Sequence, residues 1–274
     1  MILYESEGIS VEYRKNLYSC SDGIATITMN YPKNLNAIDM DMAVELLSLL
    51  DACEKDPAVK VVILASGGKA FSAGGDIGYF YDQIEAGGEI NMDDLISRVG
   101  LISLNIKRMS KMVITSVAGA AAGAGANLAL SGDIVVCADN VKFIQAFVNL
   151  GLVPDTGGTY LLSKSIGIAK AMELCVTGKP LPAAEALGLG LITEVCPLDA
   201  LGECTMAWAK KLAAGPLVAY AGLKKQFFEA NYQDYERYLQ QGEVPSQRMA
   251  MASEDFKEGV RAFVEKRKPN FQGT

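Results

Sequence analysis

The sequence predicts an α/β fold: a mostly parallel sheet with helices on its outside, followed by an all-helical tail. Three observations carry this. Strand and helix signals alternate through the first part of the chain, strand signals stop after Pro197, and the segments beyond it have broad apolar helical faces. With 274 residues, half of them apolar, the chain can bury one large core and carry an extension. The expected division is an α/β core over residues 1–197 and a helical region over 198–274. No internal repeat or low-complexity segment interrupts it.

Residues 24–29, IATITM, alternate and are rich in β-branched side chains, as a strand requires. Asn36-Ala-Ile-Asp39 then leads into a helix with apolar residues at Met42, Leu46, Leu47 and Leu50. Residues 59–65 read as a buried strand closed by the Gly67-Gly68 turn. A helix is expected over 93–109, before a strand at 112–117. Another helix, beginning near Ala126, precedes a strand at 134–137. In the tail, helices are expected over 198–213, 218–230, 232–241 and 246–267.

Composition excludes several functions. A net charge of −7 argues against nucleic acid as a partner, and the basic clusters at 107–111 and 266–268 read as solvated faces. The first residues carry acids rather than a positive n-region, so no signal peptide is expected. No uninterrupted apolar run suits a membrane span. Six widely spaced cysteines without a C-x-x-C pair predict reduced thiols and a cytoplasmic protein. With no histidine in the chain, no zinc site is expected.

The most informative stretch is 117–159. Gly119-A-A-A-Gly123-A-Gly125 follows an expected strand and opens a helix, the pattern of a dehydrogenase nucleotide loop. Asp139 sits where a ribose-binding acid would lie, and Tyr160/Lys164 and Tyr220/Lys224 mimic a catalytic pair. Against this, the loop lies mid-chain and leaves two preceding β-α units unexplained, while Tyr160 follows the loop too closely. The other reading joins the stretch to residues 69–77, KAFSAGGDI. Each places small residues at a strand-to-helix turn, where backbone N–H groups can point at a ligand. Two such donors on one oxygen make an oxyanion hole, worth about 3 kcal/mol per donor as charge develops. Taken singly, each also reads as a tight turn chosen for packing.

The segments F-S-A-G-G-D-I, V-A-G-A-A-A-G-A-G-A-N-L-A-L-S-G-D-I and L-G-L-V-P-D-T-G-G-T resemble the crotonase (enoyl-CoA hydratase/isomerase) superfamily. So do P-K-N-L-N-A-I near Pro32 and the closing A-F-V-E-K-R-K-P-N-F, in order over nearly the whole chain. The resemblance implies a spiral of β-β-α turns with a C-terminal helical trimerisation region, assembled as a homotrimer or a dimer of trimers. It places oxyanion N–H groups at Gly75 and Ala124, holding the thioester oxygen of an acyl-CoA. It also implies coenzyme A contacts from Lys33, Ala73, Ile77, Phe263 and Lys266, the last two across a subunit interface; Lys33 and Lys266 read equally as surface lysines. No cofactor is implied beyond the coenzyme A of the substrate.

One departure narrows the chemistry. Hydratases of this family use two glutamates; their positions here hold Asn127 and Phe147, and no glutamate occurs between Glu89 and Glu173. Asn127 is either a ligand contact or a residue capping its own helix, and Phe147 reads as pocket lining. The remaining acid is Asp155, which matches a functional aspartate of dienoyl-CoA and ring-opening phenylacetate-pathway isomerases, and which also suits a turn before Thr156-Gly157-Gly158. One carboxylate beside an oxyanion hole fits a 1,3-proton shift better than hydration, because it can take a proton at one carbon and return it at another. The expected function is therefore an acyl-CoA double-bond isomerase. A hydratase or ring-forming isomerase with another acid, and a non-catalytic acyl-CoA-binding subunit, stand as alternatives. The acyl pocket is expected to be completed by residues 77–89, with Tyr79, Phe80 and Tyr81 as candidate walls.

Overall fold

The computed structural model describes residues 3–6, 9–87 and 90–274. It opens with a hairpin of β1 (Leu3–Ser6) and β2 (Ile9–Glu12), then β3 (Asn16–Ser21), β4 (Ile24–Met29) and α1 (Met40–Lys55). Asp39 caps α1 by accepting the Met42 N–H at 3.0 Å. Three turns of a spiral follow. The first is β5 (Val61–Ser66), β6 (Ala70–Ser72), α2 (Ile77–Glu85) and α3 (Asp93–Arg108). The second is β7 (Met112–Val117), β8 (Ala120–Ala122) and α4 (Ala124–Ala129). The third is β9 (Ile134–Ala138) and β10 (Lys142–Ile144), leading to α5 (Gly158–Ile166) and α6 (Ile168–Thr177). The core closes with β11 (Pro180–Pro182), α7 (Ala183–Gly188) and β12 (Glu194–Cys196).

Each spiral turn gives its longer strand to one sheet and its three-residue strand to another. The larger sheet runs β12-β9-β7-β5-β4-β3, parallel except at β3–β4; the smaller runs β11-β10-β8-β6, parallel except at β10–β11. The β-branched and aliphatic residues of β4, β5, β7 and β9 form the main core with α1, α3 and α4. Every residue of the six-residue α4 is buried.

Beyond Pro197 come α8 (Leu201–Ala213), α9 (Leu217–Asn231), α10 (Tyr235–Tyr238), α11 (Val244–Met251) and α12 (Glu254–Val264). The fold is α/β with a C-terminal helical region, as expected, and the differences are local. The strand expected from 59 starts at Val61 because the Lys60 N–H turns to Gly23 O at 2.7 Å. The helix expected over 232–241 is a short α turn continued by a π-helical turn, Leu239–Glu243. The long helix expected over 246–267 is two, because Ser253 leaves the first and caps the second, its Oγ accepting the Phe256 N–H at 3.1 Å. Among the described residues no helix is long and apolar enough to cross a membrane.

Candidate active site

Because β6, β8 and β10 lie side by side in the small sheet, the turns leaving their C-terminal ends also lie side by side. Those turns are 73–76, 123 and 145–150, so residues far apart in sequence converge at one end of the sheet. The approach is closer than ordinary side chains allow. A Cβ on Gly125 would stand 2.6 Å from Ser72 O, and one on Gly74, whose φ is +88°, would stand 2.7 Å from Ala122 O. The small residues that the sequence suggested for contact with a ligand thus also let two turns meet each other.

Gly75 and Ala124 both line the pocket formed there. Ala124 is the first residue of α4, where a backbone N–H has no acceptor within the helix. Gly75 precedes Asp76, which caps α2 by accepting the Tyr79 N–H at 3.1 Å. Gly74 O is held by the Ile38 N–H at 2.7 Å and the Ala73 N–H by Leu35 O at 2.9 Å, which fixes the first turn against the start of α1.

The acid opposite them is Asp155. Its Oδ1 accepts the Thr156 hydroxyl at 2.8 Å and its Oδ2 accepts Gln247 Nε2 at 3.3 Å. Burial pushes its carboxyl up to about 6, against those two hydrogen bonds, which favour the ionised form. Thr156 adopts φ +57° and is fully buried, a strained conformation for a β-branched residue. Asn127 lies behind this turn, 2 % exposed. Its Nδ2 donates to the Asp155 carbonyl at 2.8 Å, and its Oδ1 accepts Gln145 Nε2 at 2.8 Å. The Asn127 side chain is directed at the acid's own backbone, away from the pocket.

The pocket, about 680 Å³ counting its open mouth, is walled by apolar side chains. Phe147 is one wall; Ile77, Phe80, Ile96, Leu150 and Met251 are others. Phe80 packs edge-on against Phe256 of α12 with centroids 5.8 Å apart. Among the described lining residues Asp155 is the only acid, and Gln247 the only other polar side chain. Ala73 and Ile77 also line the pocket, whereas Lys33, Phe263 and Lys266 are exposed and stand outside it. Tyr79 is exposed, and Tyr81 packs beside the cluster that walls the pocket. Gly88 and Glu89, the end of the expected pocket segment, lie outside the described residues.

Gln247 and Met251 were not among the sequence's candidates. Their signal was available: Val244, Gln247 and Met251 fall at i, i+3 and i+7, one face of a helix, with a single amide on an otherwise apolar stripe.

The residues of the dehydrogenase pattern have other employment. Tyr160 donates its hydroxyl to Asp234 at 2.6 Å and stacks on Tyr235, their centroids 4.5 Å apart. Lys224, 7 % exposed, donates Nζ to the carbonyls of Ile106 and Lys111 at 2.8 Å each and to Asp133 Oδ2 at 2.6 Å.

Residues 19–274 match the enoyl-CoA hydratase/isomerase family. The chain is similar to the trans-2-decenoyl-[acyl-carrier-protein] isomerase of Streptococcus mutans, 35 % identical over 96 % of this chain and all of that one. It is also similar to the 1,2-epoxyphenylacetyl-CoA isomerase of Escherichia coli, 36 % identical over 92 % of this chain and 95 % of that one. Among solved structures, an enoyl-CoA hydratase from Mycobacterium avium subsp. paratuberculosis superposes with a TM-score of 0.86 at 31 % identity, covering 95 % of this chain and all of that one.

Proposed function

The chain belongs to the enoyl-CoA hydratase/isomerase family, the crotonase superfamily, and from that premise we propose that it is an acyl-CoA double-bond isomerase with Asp155 as its proton shuttle. The observation that carries this is the single carboxylate of the pocket, set among apolar walls and pushed up to about 6. The Gly75 and Ala124 N–H groups bind the thioester oxygen and stabilise the enolate as it forms. Asp155 takes a proton from the carbon that becomes part of the new double bond and returns it two carbons away, acting first as base and then as acid. A carboxyl near 6 suits both roles close to neutral pH. Asn127 and Phe147 match the positions where hydratases carry glutamates, and Asp155 is the one carboxylate among the described lining residues, which favours proton transfer over the addition of water.

The walls favour a hydrocarbon acyl group. The carrier is coenzyme A, with Lys33, Ala73, Ile77, Phe263 and Lys266 as its contacts, and the reaction needs no other cofactor. The name of the Streptococcus mutans relative makes acyl-carrier-protein thioesters a necessary arm of the test. We further propose a homotrimer or a dimer of trimers. Ile168, Met172 and Val176, exposed by 73, 58 and 58 % at successive turns of α6, support a surface that a second copy covers.

The test is a panel of 2-enoyl, 3-enoyl and ring-bearing thioesters of coenzyme A and of acyl-carrier protein, incubated in deuterated water and read by mass spectrometry. Interconversion of 2- and 3-enoyl isomers with deuterium uptake is expected, and Asp155→Asn should abolish the uptake while leaving coenzyme A binding intact. Hydration of crotonyl-CoA at an ordinary enzymatic rate, or undiminished turnover by Asp155→Asn, overturns the proposal.

A further inference from the structure

The C-terminal helical region reaches back over the acid of its own chain. Gln247 bridges two residues of the loop that carries Asp155: its Oε1 accepts the Val153 N–H at 3.1 Å and its Nε2 donates to Asp155 Oδ2 at 3.3 Å. One helical turn earlier, Glu243 accepts the Gly157 N–H with both carboxylate oxygens, at 2.9 and 3.2 Å. Positions 153, 155 and 157 are therefore gripped from one side by two residues spaced i, i+4, which share a helix face. Both grips are buried, with Glu243 and Gln247 each 2 % exposed. Glu243 closes the π-helical turn Leu239–Glu243 that leads directly into α11, a distortion that recurs at functional sites.

The loop needs such a grip. Between the two anchors lies Thr156 with its positive φ, a conformation that persists only where its surroundings over-determine it. Gly157 cannot change: a Cβ there would stand 1.6 Å from the Tyr235 hydroxyl, which itself lies 2.6 Å from Ser103 Oγ.

We propose that Glu243 and Gln247 are positioning residues of the reaction: Glu243 sets the backbone turn, and Gln247 sets the orientation and ionisation of the Asp155 carboxylate against the bound thioester. This rests on the reading of Asp155 as the proton shuttle. Neither residue transfers a proton. Gln247 offers the carboxylate one donor, which favours its charged form, and it leaves the lone pairs facing the pocket free for the substrate carbon. Burial and the nearby Asp155 carboxylate push Glu243 upward, and its two oxygens are spent on backbone rather than on the pocket.

The experiment compares Gln247→Leu, Gln247→Glu, Glu243→Leu and Glu243→Gln with Asp155→Asn, reading kcat, KM and the pH midpoint of kcat for isomerisation of one enoyl-CoA. Gln247→Leu should lower kcat about 10–100-fold with KM changed less than about threefold, as loss of an orienting partner does. Its midpoint should rise by about 0.5–1 pH unit, because the donor to the charged form is gone. Gln247→Glu keeps an acceptor for Val153 and sets a second carboxyl where the donor stood, 3.3 Å from Asp155 Oδ2, so the pair holds its first proton more tightly and the midpoint should rise further. Glu243→Gln should recover most of the kcat that Glu243→Leu loses, because the amide oxygen still accepts the Gly157 N–H. A residue that served stability alone would lower the melting temperature and leave the midpoint where it was. An inactive Asp155→Asn beside Gln247 variants with unmoved midpoints refutes the positioning role and spares the acid. A fully active Asp155→Asn refutes the acid and the positioning role with it.

Discussion

Asn127 Nδ2 donates to the backbone carbonyl of Asp155 at 2.8 Å across 28 positions of sequence. The Asn127 side chain is thus part of the support of the pocket's acid. Asn127→Ala would leave Gln145 Nε2 without its acceptor and take one of two donors from the Asp155 carbonyl, the other being the Gly158 N–H at 2.9 Å. Losing these buried bonds should cost about 1–3 kcal/mol in urea denaturation. A change below about 0.5 kcal/mol, the ordinary range of surface substitutions, would show that the bond supports nothing.

The pH dependence of activity follows from Asp155. As the proposed proton shuttle it must be ionised to accept the first proton, and burial pushes its carboxyl up to about 6. Below that value kcat/KM should fall about tenfold per pH unit, with a plateau above it. A profile that stays flat down to pH 5 would mean that another group is the base.

Stability should run the opposite way. The folded state raises the Asp155 carboxyl from 3.8 to about 6, so between those values the folded chain binds more proton than the unfolded chain. Stability therefore declines as pH rises through that window, and the burial penalty is complete above it. Asp155→Asn removes the penalty, so the variant should be more stable than the parent at pH 7, by at most about 3 kcal/mol. Below pH 4 the two should converge. Thermal melts at pH 4 and pH 7 decide it.

Gly125→Ala tests the meeting of the two turns. The new methyl would stand 2.6 Å from Ser72 O, a backbone atom that moves only if β6 moves. Displacing Gly75 from Ala124 should cost about 10²–10³-fold in kcat, the range for loss of an oxyanion donor. Measured kcat within threefold of the parent would mean that the hole tolerates the shift.

Lys224→Met should be destabilising without touching the site. It removes the charge partner of Asp133 and leaves the Ile106 and Lys111 carbonyls without their common donor. Breaking a buried pair from one side costs about 3–5 kcal/mol, read as a loss in denaturation free energy, with kcat of the remaining folded enzyme unchanged.

Much of this arrangement was legible in the sequence, and for local reasons. The β-branched runs at 24–29 and 112–117 and the glycine turns at 74–75 and 123–125 carry their signals within a few residues. The small sheet was not legible, because Ala120-Ala-Ala and Ala70-Phe-Ser are too short and too weak in strand propensity to announce strands. Helix periodicity marks the face that carries Gln247, but not what Glu243 and Gln247 touch. Their partners lie 86 and 92 positions away, at Gly157 and Asp155, and neither helix periodicity nor charge reveals such a contact. The break at Ser253 could have been read, since Ser-Glu-Asp before Phe256 is a helix-start signature that the longer apolar periodicity masked.

The tail's contacts with the rest of the chain span long distances. Tyr235 bonds Ser103 across 132 positions, and Arg261 pairs with Glu85 across 176. Every such closure waits for the last helices, so the spiral can be complete while the loop bearing Thr156 still lacks the grip of Glu243 and Gln247. Contacts this distant slow folding, and during synthesis the amino-terminal part forms first. Catalytic competence should then arrive as a late, separate kinetic phase, after the bulk of the hydrogen-bonded sheet has formed.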